Sequence, residues 1–192
     1  MNLADIIRSS NVFDLLVVLG IVAAFILGFV QGVIRRLLGI LSMLFAFLVA
    51  ANLRDPLGAF LASNWTFPRD YSYMIGFGTL FVAFTVTFSI AIQGFYRRTP
   101  LWSRAPIVDE IVGGLLGVLE ALMLVGFGIV ILDSFSWSTV APFAGELGFL
   151  RTLADAVDGS QVHGFFRDVL IPGFVLLFGG LIPGDLAQAF RR

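Results

Sequence analysis

The chain has 192 residues, 58% of them hydrophobic and 13% charged, about half the charged fraction of an ordinary soluble domain. A net charge of −1 excludes the broad basic surface that nucleic-acid binding needs. The lack of cysteine excludes disulfides, thiolate metal sites and a cysteine nucleophile.

The composition points to an all-α integral membrane protein. A spanning helix needs roughly 20 mostly apolar residues, and four stretches reach that range: about 13–30, 37–53, 73–95 and 111–132. Before the first, only Arg8 stands against Asp5 and Asp14 and no small-residue cleavage site follows, so this helix is expected to be retained rather than cleaved as a signal. A short polar turn, 31–36, leads to the second span. Pro56, Asn64 and Pro68 mark 52–72 as a surface loop. The third span is diluted by Thr79, Thr85, Thr87 and Ser89, whose hydroxyls can bond back to helix carbonyls. Pro100 and Pro106 end it, and the fourth span follows.

These four helices make a bundle over residues 1–135, with 136–192 as an amphipathic or interfacial tail. In the tail Phe149, Leu150, Leu153, Ala154 and Val157 recur at helical spacing, as do Val162, Phe165, Phe166, Val169 and Leu170, with Gly159 and Ser160 between them. Residues 173–182 are uncharged but too few to span, which suits an interfacial or re-entrant segment; a fifth crossing is the minority reading.

All twelve basic residues are arginine. Five of them (Arg35, Arg36, Arg97, Arg98 and Arg104) fall in the first and third connections, whereas the second offers only Arg54 and Arg69. The positive-inside bias makes the Arg-rich connections cytoplasmic and puts both termini outside.

Small residues recur every fourth position in each span. The first carries Gly20, Ala24, Gly28 and Gly32, the fourth Gly113, Gly117 and Ala121. Ser42, Ala46 and Ala50 mark the second, and Thr79, Ala83, Thr87 and Ala91 the third. Such stripes let helix backbones approach closely where lipid supplies no hydrophobic drive, within one chain or between chains.

Glu120 lies nine residues into the fourth span, about 13 Å deep and near the midplane. An ionisable group there needs a partner, water or a proton, and two readings stay open: a structural carboxyl, or a group for transport or gating. Asp14 opens the first span and Asp109 precedes the fourth, where each favours a helix N-terminus through the dipole. His163, the single histidine, lies near Ser160, Asp155 and Asp158, but without a nucleophile elbow this is read as a solvated helix face. It is no better as a metal site, lacking a ligand set at zinc spacing. No residue set implies a cofactor.

The residues Asp14, Gly28-Phe29-Val30-Gln31-Gly32-Val33-Ile34-Arg35-Arg36, Val108-Asp109-Glu110-Ile111-Val112-Gly113, Gly117, Glu120 and Leu132-Asp133-Ser134-Phe135 together resemble the bacterial colicin V production protein family, over roughly residues 10–135. The resemblance implies a four-span inner-membrane protein tied to toxin export or envelope functions, with no defined chemistry. Some relatives join this membrane unit to an outer protease domain, which has no counterpart in this sequence. In that family the position of Arg36 usually carries an acid, and those of Glu110 and Glu120 a base; this chain reverses all three. The double reversal is what mutual attraction of Arg36 and Glu120 would produce, although the rise per residue sets them some 13 Å apart in depth. The expected function is non-enzymatic, binding other membrane proteins or further copies of the chain within the bilayer. The alternative is an oligomeric channel or transporter subunit using Glu120, with an intramembrane enzyme a distant third.

Overall fold

The computed structural model describes residues 11–65, 69–95, 106–136, 156–157, 159–178 and 180. Four long helices dominate them: α1 (Val12–Gln31), α2 (Val33–Asn64), α3 (Arg69–Phe95) and α4 (Pro106–Ser136). All four are long and apolar enough to cross a membrane. The tail adds α5 (Gln161–Phe165), a π-helical turn (Phe166–Leu170) and α6 (Ile171–Phe178), which follow one another without a break.

Asn11 caps α1 by accepting the Phe13 N–H at 3.1 Å, which satisfies one of the donors that a helix start leaves without a partner. The helix ends because Gly32 takes φ +76°, a conformation that side chains with a Cβ rarely adopt. One residue thus separates α1 from α2, where the sequence suggested a polar turn of six. Arg35 and Arg36 belong to the first turns of α2 and not to a loop.

A second difference is larger. The expected loop over 52–72 is helical on both sides of a short connection, because α2 continues through Pro56 to Asn64 and α3 begins at Arg69. Proline removes one N–H, a loss that neighbouring packing can offset in membrane helices. Here Gly58, two residues on, lies so close to Tyr73 of α3 that an added Cβ would come within 2.6 Å of its ring. Ser63 and Asn64 then bond back to the Phe60 carbonyl at 2.9 and 2.8 Å as the helix closes. At 32 residues α2 is about 48 Å long, well beyond a 30 Å hydrocarbon layer.

Contacts give the topology. Gly28 meets Gly113 while Ala24 meets Gly117, so α1 and α4 run antiparallel. Phe47 meets Phe77 and Phe81 while Gly58 meets Tyr73 and Gly76, so α2 and α3 are antiparallel as well. Gly39 faces Glu120 and Phe47 stacks on Phe127 at 4.1 Å between ring centroids, which makes α2 and α4 parallel and joins the two pairs.

Phe47 is fully buried and is the hub of an aromatic core, with Phe77, Phe81, Phe127 and Phe174 all packed on it. Phe174 belongs to the tail. Phe166 and Ile171 are buried in the same cluster, and the Phe166 ring fills the space beside Gly126. The described part of the tail therefore packs on the bundle, where the sequence suggested only an amphipathic or interfacial segment. Its π-turn sits directly before Pro172: the Ile171 N–H bonds to the Phe166 carbonyl, and the wider turn relieves the clash a proline makes with the preceding turn. The third connection with Arg97, Arg98 and Arg104, and the first stretch of tail helix from Phe149 to Ala154, lie outside the described residues.

Candidate functional site: an intramembrane ion pair beside a cleft

Arg36 of α2 and Glu120 of α4 form an ion pair between the guanidinium Nη1 and the carboxylate Oε2. Their side chains are 11% and 24% exposed, so most of both charges is withdrawn from the surroundings. The depth problem raised by the sequence resolves through helix direction. Because α2 and α4 are parallel and start together, with Asp109 against Gly32, Glu120 is seven residues deeper than Arg36, about 10 Å. A helical side chain leans toward its own N-terminus, so Glu120 reaches back toward the arginine, and the long, flexible Arg36 stem covers what remains. Gly39 leaves the room: a Cβ there would stand 2.6 Å from Glu120 Oε1. Gly39 was not singled out from the sequence, although its place three residues after Arg36 on the same helix face is a readable signal.

The glycines divide into two groups. Gly28, Gly113 and Gly117 form the α1–α4 seam, where a Cβ on any of them would run into backbone of the facing helix. Gly32 is held by its φ and by Asp109, whose Oδ2 would be 2.5 Å from an added Cβ. Gly20 differs: nothing lies within 4 Å of its Cβ position, so it is not part of the seam. The small-residue stripe proposed for α3 also fails to pack, since Thr79, Ala83, Thr87 and Ala91 are all exposed. The packing face of α3 is instead built from Gly76, Phe77 and Phe81, while Ser42, Ala46 and Ala50 of α2 are buried as expected.

Asp109 is buried in the first turn of α4 and lies against Gly32 at the start of α2, a helix with no side-chain cap of its own. One carboxylate therefore complements the positive ends of two helices. Its Oδ1 has no hydrogen-bond partner among the described residues. Arg35, the preceding residue on α2, is exposed.

At the opposite end Asp14 does more than favour its own helix. Its Oδ1 accepts the Ser160 hydroxyl at 2.7 Å and the Val162 N–H at 3.2 Å, while Asn11 Nδ2 donates to the Ala156 carbonyl at 2.5 Å. These bonds pin the tail to the start of α1. Ser160 in turn accepts the His163 backbone N–H at 3.0 Å and caps α5. Asp, Ser and His are thus neighbours, but the hydroxyl hydrogen is directed to the carboxylate and the link to His163 is through its backbone, which is capping geometry rather than that of a nucleophile and its base. His163 is itself buried, against the expected solvated face. Among the described residues no group of three His, Cys, Asp or Glu could hold a metal ion.

Between α1 and the other three helices runs a cleft of about 540 Å³. Arg36, Glu120, Thr85 and Ser89 line it together with apolar side chains of α1.

Four spanning helices, an interhelical ion pair and a lateral cleft define a small multi-pass membrane protein. A family model described as colicin V production protein matches residues 13–170, and the chain belongs to that family. The match runs past the four helices into the tail as far as Leu170. No curated protein and no solved structure matches the chain.

Proposed function

We propose that the chain is a non-enzymatic subunit of the bacterial inner membrane that supports toxin export or envelope maintenance by binding partner membrane proteins. The observation that carries this reading is the contrast between α2 and α1. Half of the most apolar window of α2 is buried within the bundle, against 11% of that of α1, the lowest of the four, with α3 at 17% and α4 at 22%. Helix α1 is fixed along one glycine face and offers the rest, including Leu19 and Ile26, to whatever lies beside it. The pairing of Glu120 with Arg36 also favours a scaffold, because the acid in mid-span already has its counter-charge.

A photoreactive residue at Leu19, with Leu115 of α4 as a second exposed position, tests this in native membranes. A defined foreign protein captured at Leu19 supports the reading; lipid adducts alone at both positions overturn it. Both termini are placed outside the cytoplasm on the arginine bias. Single cysteines replacing exposed Arg35 and Gly159 check that, the account requiring an impermeant thiol reagent to label only the second in intact cells.

The second reading, an oligomeric conduit in which Glu120 handles a proton or ion, draws on the cleft and its four polar side chains. Four helices are few for a pore, so it requires association of several copies. Proton flux into proteoliposomes that disappears in Glu120→Gln would favour it over the scaffold.

A further inference from the structure

The cleft has two unlike walls. The α1 wall, from Phe13 through Gly20 to Leu27, is entirely apolar and about 21 Å long by the rise per residue. The facing walls bring Arg36 from α2, Thr85 and Ser89 from α3, and Glu120 from α4. Its volume, about 540 Å³, falls within the range of small-molecule sites, roughly 300–1,000 Å³.

Two buried polar atoms on the facing walls, Arg36 Nε and Thr85 Oγ1, have no hydrogen-bond partner among the described residues. Both belong to side chains that line the cleft, and both can donate. In a hydrocarbon setting such donors are costly to leave unmet. Among the described residues the charged side chains that line the cleft are Arg36 and Glu120, which are already paired with each other. A charged head group would therefore enter with no counter-charge left to meet it, whereas an uncharged group with acceptor oxygens would meet the donors and leave the ion pair intact.

We propose that this cleft binds an uncharged single-chain amphiphile of the membrane, its hydrocarbon chain along the α1 wall and its ester or hydroxyl oxygens toward Arg36 and Thr85. The site is independent of the partner-binding reading, since it uses the inner side of α1 and not its outer face.

The test uses the full chain in lipid nanodiscs with a photoactivatable monoacylglycerol carrying its reactive group in the acyl chain. Labelling should concentrate on Leu16, Val17 and Ile21 of α1 and on Leu124 of α4, which line the cleft, and be competed by unlabelled monoacylglycerol. Gly20→Leu places a side chain in open space within the cleft, so it fills the site without disturbing the seam, and competable labelling should be lost while the helical fold and thermal midpoint are kept. Thr85→Val should weaken competition about fivefold, the size of one hydrogen bond, and leave labelling by a photoactivatable alkane unchanged. Labelling spread over exposed positions such as Val82 and Ile90 and indifferent to Gly20→Leu would overturn the proposal, showing only surrounding lipid. Equal or stronger competition by a fatty acid or a lysophospholipid would overturn the assignment of an uncharged head group.

Discussion

The bundle is held by two seams of opposite character. Along α1–α4 the contact is backbone on backbone, with Gly28, Gly113 and Gly117 removing every Cβ that would intervene. Along α2–α3 it is made by rings, Phe47 against Phe77 and Phe81. Both solve one problem: lipid tails are as apolar as the side chains, so association must come from packing that lipid cannot match. The glycine seam achieves this by proximity and tolerates no added atom. The phenylalanine seam achieves it by filled volume and tolerates no loss.

The two seams should therefore fail under opposite substitutions. The largest effect belongs to Phe47→Ala, which empties the hub shared by α2, α3, α4 and the tail. A loss of about 3–5 kcal/mol is expected from chemical unfolding in detergent, and an effect under 1 kcal/mol would deny Phe47 that role. Next comes Gly28→Ala, expected to cost about 1–3 kcal/mol because the methyl meets the Gly113 carbonyl, which cannot move aside. Gly20→Ala on the same helix is the control and should cost almost nothing, if anything gaining from helix propensity. If the two alanine variants behave alike, the seam is misassigned. A smaller effect, about 1 kcal/mol, is expected for Ser160→Ala, which removes both the α5 cap and the bond to Asp14. Protease protection of the tail reads it, and should fall in this variant while the four long helices keep their resistance.

The same contrast explains what could be read in advance. Helix number and the α1–α4 seam were legible because hydropathy and a four-residue glycine repeat are local patterns. The repeat misled in α3, where Thr79, Ala83, Thr87 and Ala91 share the spacing yet face outward. Phe77 and Phe81 repeat just as regularly on another face of that helix, and periodicity cannot say which face is inside. The chain has 21 phenylalanines, and nothing local distinguishes Phe47 as the one that four elements share. Pro56 misled for a related reason, since its usual meaning as a breaker holds only where the next turn has nothing to pack on.

The ion pair was legible only as a pair of reversed charges. Its geometry was not, because depth counted along each helix ignores the parallel start of α2 and α4 and the lean of a side chain toward its own N-terminus. Gly32, Asp109 and Gly39 supply these: the first two align the helix starts, the third clears the space that the Glu120 carboxylate occupies. The tail was unreadable in a different way. Its attachment depends on Asp14 and Ser160, 146 residues apart, and on a π-turn set by Pro172.

The account rests on Arg36 and Glu120 joining the two helix pairs, and a charge-reversal cycle tests this most directly. Arg36→Glu, Glu120→Arg and the double variant are compared by accumulation in the membrane and by unfolding free energy in detergent. Each single change should leave two like charges in contact and destabilise strongly, with the double variant recovering much of the loss through a coupling of about 2 kcal/mol. A double variant no more stable than the worse of the two singles would contradict the account.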